Sequence, residues 1–479
     1  MLSIIIPSRH EPYLEKTIQS ILETATGAIE ILVVLDGSWC KPEEIVDDKR
    51  VIYIHYSTPK GMRNAINKGV SVAKGEYILK CDAHVMFDTG FDEVLVRDHQ
   101  PYWVQVPRRY ALAPEAWEIE DNPKYPIDYM YLDNELHGRE WREKNKDPKL
   151  KDRKIDELMS AQGSCWFMTK EYFKMLRLMD EESYGMFWNE FQEIGLKTWL
   201  YQGKVMVNKN TWYAHFHKTE TRGYNLSRED HKKAEEHMKK WFTDMAWVDQ
   251  QRHPLSWLIA RFQPVPTWEG DYKRKAVIDD EVMFWRKWLK GKRGEKHIKV
   301  RPLAKEVREM VGEKKQVRIA DIGSGPASMI GYTMDGVEVD YVPSDLLAEE
   351  YKELYRYHNI EPYVYPEVQD MMNLSYPDNS FDIVYCRNAV DHCFDAKKAI
   401  SEMIRICKPG GYVYLWHFKK VGKMMGYNGM HTWNIELTEN GNCLYWSKTS
   451  KFLLSELDIG FENEEVVRSH NVIINKLHK

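Results

Sequence analysis

The chain has 479 residues, 43% hydrophobic and 29% charged, with a net charge of −5. That length holds two or three domains and more than one core, and the mild acidity gives no global attraction to nucleic acid. No run approaches the roughly 18–20 apolar residues of a membrane span. The opening apolar stretch, Leu2 to Ile6, is too short for a signal sequence and reads as a first strand. Seven cysteines without a CxxC pair point to reduced thiols and a cytoplasmic setting.

From Met1 to Arg222, the strand-like runs LSIIIP, EILVVLDG, VIYIHY and EYILKCDAH alternate with helical patterns. This rhythm predicts β-α-β units around a largely parallel sheet. The first run ends at Pro7, Ser8 and Arg9 and the second at Asp36. Both are strand-to-loop junctions on one sheet edge, where open α/β sheets bind ligands. Asp36 could accept a hydrogen bond from a uracil ring or a ribose hydroxyl, or simply form an Asp-Gly turn. Lys60, Gly61 and Arg63 open the next helix, and their amides and cations suit a pyrophosphate. Past the strand EYILKC, Asp82 and His84 can reach one divalent ion. Their oxygen and imidazole donors suit Mn²⁺ or a related metal better than a closed structural zinc site. Near the end of this segment, His215 and His217 alternate on an extended run. They are expected to face opposite sides, so that only one can join Asp82 and His84.

The pattern G-x-R-x-A-x-x-x-G-x-x-x-A-x-G-E, from Gly61 to Glu76, followed by D-x-H at Asp82, resembles the nucleotide-sugar domain of the polypeptide N-acetylgalactosaminyltransferases and the wider family of GT-A glycosyltransferases. The resemblance covers roughly the first half of the chain. It implies a UDP-sugar donor, Mn²⁺ or Mg²⁺ held by Asp82, His84 and one late histidine, and a nucleotide contact at Asp36. It favours His215 as the late histidine, with His217 as the fallback. AQGSCWFMTKEYF resembles the family's acceptor-side segment and nominates Gly163 and Ser164. MFWNEFQEIGLKTWL is similar to W-G-G-E-N-x-E-[IL]-S-x-[RK]-x-W, placing Glu190 and Glu193 on its acidic positions. Trp188 matches the leading tryptophan only if one residue is deleted. Glu190 is then expected to contact sugar or acceptor hydroxyls, or to deprotonate the acceptor in an inverting enzyme. Glu193 is either a second site carboxylate or a surface ion-pairing residue, and retention or inversion stays open.

Residues 223–302 are rich in tryptophan and charge. HKKAEEHMKKWF and DDEVMFWRKWL have helical spacing around a proline-bearing connector, which predicts a helical linker. The basic run from Arg286 to Arg301 reads as an exposed face of that linker.

Residues 303–479 begin a second alternating α/β pattern with VRIADIGSGPAS. Asp321, Gly323 and Gly325 mark a loop that lets backbone approach a ligand closely; a glycine loop alone is weak, since dinucleotide folds share it. Asp345 follows the second strand, Asp370-Met371 follows later, Asp382 opens another strand, and Lys408-Pro409-Gly410-Gly411 makes a turn. This succession resembles the class I S-adenosylmethionine-dependent methyltransferases. It implies a Rossmann-like domain in which Asp345 binds the ribose, Asp370 the adenine amino group, and Met371 packs on the ring. The acceptor pocket should include Asp391, His392, His417, His431 and Trp433. The segment GMHTWNIE resembles a G-L-H-Q-W-N-F signature of methyltransferases associated with bacterial surface saccharides. His392 or His431 could take a proton from a sugar hydroxyl, or each could be an ordinary buried histidine. Together the two halves are expected to form a bifunctional enzyme that adds a sugar to a glycan acceptor and methylates it. The alternatives are a hydroxylated viral DNA base or a protein side chain as acceptor, or a scaffold with one inactive domain.

Overall fold

The computed structural model describes residues 1–41, 45–120, 126–217, 227–243, 250–467 and 471–479. The chain divides into two units, Met1–Lys273 and Arg274–Lys479. The segment expected to be a linker is therefore shared: the helices Arg228–Thr243 and Leu255–Phe262 lie in the first unit, and Lys292–Ile298 in the second. The expected boundary at Arg222 falls outside the described residues. No helix of the described residues is long and apolar enough to cross a membrane.

In the first unit, β1 (Leu2–Ser8) and β2 (Ile29–Asp36) are apolar on both faces and almost wholly buried, as central parallel strands require. β3 (Val51–Tyr56) and β4 (Tyr77–Cys81) complete a parallel block in the order β3-β2-β1-β4. Helix α1 (Met62–Val72) covers it with Met62, Ala65, Ile66 and Val70, at the 3–4 spacing of an amphipathic helix. Beyond β4 the sheet becomes mixed, with antiparallel pairings around a second parallel pair. The remaining strands are β5 (Val85–Phe87), β6 (Trp103–Ala113), β7 (Glu118–Ile119), β8 (Ile155–Glu157), β9 (Cys165–Thr169) and β10 (Lys204–His215). The full order is β8-β10-β6-β9-β4-β1-β2-β3, with β5 on β10 and β7 on β6. β9 lies antiparallel between β4 and β6. This inversion positions the site, because it carries Gly163 and Ser164 back to the tip of β4.

In the second unit a seven-stranded sheet contains β11 (Gln316–Ile322), β12 (Glu338–Asp345), β13 (Glu367–Val368), β14 (Phe381–Arg387), β15 (Cys407–Phe418), β16 (Gly460–Val466) and β17 (Val472–His478). Their order is β13-β12-β11-β14-β15-β17-β16. The strands from β13 to β15 are parallel, and the last two close the edge antiparallel. A separate three-stranded sheet, Asn434–Leu437, Cys443–Trp446 and Lys451–Leu453, packs its Ile435, Tyr445 and Phe452 into the same core. All seven cysteines are free thiols. Cys81 and Cys165 are cross-strand neighbours with no exposure, small buried groups as expected.

Candidate active sites

Asp82 and His84 follow the end of β4, and β5 then pairs antiparallel with β10, setting His215 opposite Val85. That register brings the late histidine to the early pair. Asp82 Oδ2 lies 3.2 Å from His215 Nε2 and 3.8 Å from His84 Nε2, and one donor atom from each residue lies within 4.8 Å of the others. Ligands about 2.0–2.2 Å from a first-row ion stand roughly 3.0–3.5 Å apart, so the cluster needs little movement to close on a cation. His215 Nδ1 is buried with no hydrogen-bond partner among the described residues. Glu11 stands behind His84, its Oε2 3.2 Å from Nδ1, the carboxylate–imidazole arrangement that orients a ligating histidine. Burial pushes His215 down to about 4 despite the Asp82 carboxylate beside it, so the ring is a neutral donor at pH 7. His217 corrects an expectation. Residues two apart on an extended run share a face, and the two rings lie 4.7 Å apart rather than on opposite sides.

Lys80, within β4, was not singled out from the sequence. It is wholly buried, and its Nζ donates to Asp82 Oδ1 (2.8 Å), the Gly163 carbonyl (2.7 Å) and Glu190 Oε2 (3.2 Å). Glu190 Oε1 accepts from Trp166 Nε1 at 2.8 Å. Burial opposes charge on both acids. Lys80 and the two histidines nevertheless hold the Asp82 carboxyl well below its ordinary range, whereas burial lifts Glu190 above its own. A Cβ at Gly163 would stand 2.5 Å from Glu190 Oε2, so glycine leaves room for the Glu190 carboxylate where it lies. Ser164 accepts from the Asp82 amide through its carbonyl (2.9 Å) and pairs its hydroxyl with Tyr213 (2.8 Å).

The nucleotide-side residues divide. Pro7, Ser8 and Arg9 stand at the end of β1, with Arg9 donating to the Asp36 carbonyl at 3.2 Å. Asp36 has no exposure, and its two carboxylate oxygens accept from the amides of Lys60 (2.6 Å) and Gly61 (2.9 Å). It shapes the loop into α1, and those two amides are already engaged rather than open to a pyrophosphate. The Lys60 side chain stays exposed, over the Tyr56 ring. Arg63 departs furthest from its expected role. It is fully buried, donates to Glu193 and to the Trp188 carbonyl, and packs over the Tyr184 ring. Glu193, on α2 (Glu190–Tyr201), is likewise fully buried and also accepts from Lys197 at 2.6 Å. It is not a surface residue but the centre of an internal Arg–Glu–Lys group. Trp188 contributes its carbonyl to that group.

In the second unit Gly325, at φ +64°, would carry a Cβ 2.6 Å from the Trp285 ring, so only glycine lets the loop pass beneath that side chain. Met371 reaches to 3.5 Å from the Cβ position of Gly323. Asp345 accepts from the amides of Gly325 (3.0 Å) and Leu347 (2.9 Å), one per carboxylate oxygen, leaving further lone pairs for hydroxyls. Asp370 accepts from the Met372 amide. Asp321 lies beneath the loop, taken by the Tyr341 hydroxyl at 2.7 Å and pushed up to about 7 by burial.

Past β14, Asp391, His392 and His431 meet: His431 Nδ1 stands 2.6 Å from Asp391 Oδ2, and His392 Nε2 stands 3.1 Å from His431 Nδ1. The segment carrying His431 is fastened there by the Thr432 and Trp433 amides, both bound to the Asp391 carbonyl. His417 and Trp433, expected in the acceptor pocket, are instead buried supports. His417 has no exposure and bonds the Tyr445 hydroxyl, and Trp433 donates to the Cys393 carbonyl.

The family model for glycosyl transferase family 2 matches residues 3–177, and that for a methyltransferase domain matches residues 320–415. The first half is similar to glycosyltransferase GlyG of Streptococcus pneumoniae serotype 4, 34% identical over 106 residues that make up 21% of this chain and 35% of that protein. The second is similar to the uncharacterized methyltransferase C1B3.06c of Schizosaccharomyces pombe, 32% identical over 111 residues, 21% of this chain and 39% of that one. The chain thus spans well under half the length of either relative. A solved structure of GalNAc-T7 with UDP, GalNAc and Mn²⁺ aligns at 17% identity and a TM-score of 0.41, covering 59% of this chain and 55% of that one. The chain joins an N-terminal glycosyl transferase family 2 domain to a C-terminal methyltransferase domain.

Proposed function

We propose that the first unit transfers a sugar from a UDP-sugar to a glycan acceptor with the help of Mn²⁺ or Mg²⁺, and that the second methylates a hydroxyl of that glycan with S-adenosylmethionine. The observation that carries the first half is the convergence of Asp82, His84 and His215 at a parallel strand tip, with Lys80 tying Asp82 to Glu190. The donor set, one carboxylate and two imidazoles, fits a first-row divalent ion. Such an ion, when bound, offsets the charge of a departing diphosphate. Glu11 keeps the His84 ring turned toward Asp82. Arg9 and Lys60 supply positive charge on the nucleotide edge. Glu190, lifted by burial and one lysine away from Asp82, serves the acceptor or sugar hydroxyls, while Gly163 and Ser164 let backbone pass close to the sugar.

In the second unit the glycine loop and Asp345 hold S-adenosylmethionine, with Asp370 and Met371 on its adenine. S-adenosylmethionine supplies an electrophilic methyl group. The cluster of His392 and His431 with Asp391 holds the acceptor hydroxyl and promotes the loss of its proton. Carrying both sites on one chain raises the effective concentration of the glycan for the second step. The test is mass spectrometry of products after UDP-hexose and UDP-N-acetylhexosamine pools are offered with S-adenosylmethionine and candidate glycans. A hexose mass increment lost in Asp82→Ala, and a methyl increment lost in Asp345→Ala, are expected. Both increments surviving their own substitution would remove the assignment.

A further inference from the structure

The Asp391 cluster has a geometry that a bare proton acceptor does not need. His431 Nδ1, His392 Nε2 and Asp391 Oδ2 form a triangle with edges of 2.6, 3.1 and 3.5 Å. Nδ1 of His431 is shared by two of those edges, yet it has either one proton or one lone pair to offer. Hydrogen bonds therefore cannot satisfy all three contacts together. Neighbouring ligands of a four- or six-coordinate first-row ion, with bonds of about 2.0–2.1 Å, stand roughly 3.0–3.4 Å apart, close to the two longer edges. A second, independent observation lies beneath the triangle. Asp391 has no exposure, and its Oδ1 has no hydrogen-bond partner among the described residues. A buried carboxylate oxygen left without a donor is costly, and positive charge on the same carboxylate offsets that cost. The Asp280 and Glu281 carboxylates, on the helix Tyr272–Lys290, add negative potential at His431.

We infer that Asp391, His392 and His431 form a divalent-cation site in the second unit, distinct from the Asp82 triad, whose open positions take two neighbouring hydroxyl oxygens of a sugar acceptor. One carboxylate and two imidazoles suit Mn²⁺, Fe²⁺, Co²⁺ or Zn²⁺. A vicinal diol presents two oxygens at the separation that adjacent open positions need. Phe394, 92% exposed and two residues beyond His392, offers a ring face for the apolar side of the same sugar. The imidazoles then act as ligands, and the cation acidifies the hydroxyl: its proton passes to solvent water, its oxygen bonds the methyl carbon, and the broken carbon–sulfur bond releases S-adenosylhomocysteine. What the cation does rests on the methyltransferase reading above; whether it binds does not.

The experiment uses the full chain, stripped with chelator and titrated with Co²⁺ alone. Bound metal is counted by equilibrium dialysis and ligation is followed by visible absorption. In an Asp82→Ala, His84→Ala background, which removes the first-unit triad, one equivalent of Co²⁺ is expected to remain. His431→Gln added to that background is expected to abolish it. S-adenosylmethionine affinity, measured by calorimetry, should change less than about twofold and so report a folded second unit. No Co²⁺ bound in the Asp82→Ala, His84→Ala chain, or an unchanged equivalent and spectrum after His431→Gln, overturns the site. If one equivalent binds and depends on His431 while no acceptor is methylated, the cation site stands and the methyltransferase reading falls.

Discussion

Replacing Lys80 with methionine tests whether one buried cation holds the two acids of the first site together. Methionine keeps the length and apolar character of the stem, so packing in β4 changes little. The lost ammonium donates to Asp82 (2.8 Å), Glu190 (3.2 Å) and the Gly163 carbonyl (2.7 Å) from a side chain 1% exposed. Removing one partner of a buried ion pair costs about 3–5 kcal/mol, because the other charge is left uncompensated. Partial protonation of Glu190, already lifted by burial, recovers some of this, and a net loss of about 3 kcal/mol is expected in chelator. Native-state hydrogen exchange at the β4 and β9 amides reports the first unit alone, and its protection should fall about 10²-fold. Adding Glu190→Gln removes one stranded charge and should restore part of the loss, so the two substitutions are strongly non-additive. Mn²⁺ should restore another part by again setting positive charge against Asp82. A loss below about 1 kcal/mol in chelator, or strict additivity with Glu190→Gln, would refute the reasoning.

His215→Ala should lower Mn²⁺ affinity and sugar transfer by about 10²-fold or more, while His217→Ala should leave metal affinity within a few-fold; calorimetry with Mn²⁺ separates them. Arg63→Met should cost about 3–5 kcal/mol of first-unit stability by stranding Glu193, yet leave UDP affinity of the folded fraction unchanged; a selective loss of UDP binding would return Arg63 to the nucleotide. Asp382 accepts from Lys314 (3.0 Å), Lys408 (2.9 Å) and the Arg318 amide (3.0 Å), and against the penalty of burial these partners depress it from 3.8 to about 2. A depressed carboxyl stabilises the fold fully above its unfolded pKa and loses that contribution as pH falls through about 2. Discounted for solvent screening, the contribution is about 1 kcal/mol, and Asp382→Asn should flatten the second unit's stability between pH 4 and pH 2 by about that amount, as read by denaturant titration.

The parts of this protein that were legible in its sequence are those where local pattern and chemistry agree. β1, β2 and β4 are short apolar runs closed by polar loops, and Asp82-Ala83-His84 directly follows a strand end, so element and donor set are visible in one stretch. The glycine loop after β11 is legible for the same reason. What was not legible depends on register between distant segments. The antiparallel insertion of β9 between β4 and β6, which carries Gly163 to Lys80 and Glu190, leaves no mark in β9 itself. Glu11 reaches His84 across 73 residues. Arg63 read as a phosphate contact and Glu193 as a site carboxylate or a surface residue, and only their mutual burial, 130 residues apart in sequence, shows otherwise.

One signal for the missed residue was nevertheless present. Tyr77-Ile78-Leu79-Lys80-Cys81 is a strand whose neighbours on both sides are buried, and a strand central to an α/β sheet has no solvent-facing side for a lysine. A charge at such a position must be paired or the strand does not form. It follows that an interior lysine one residue before a strand end demands acids at that end, and Asp82 and Glu190 are those acids. Reading a central strand for the charge it ought not to carry therefore points to the same strand end as the D-x-H motif does, and it adds what the motif lacks: the demand for a further buried acceptor beside that end.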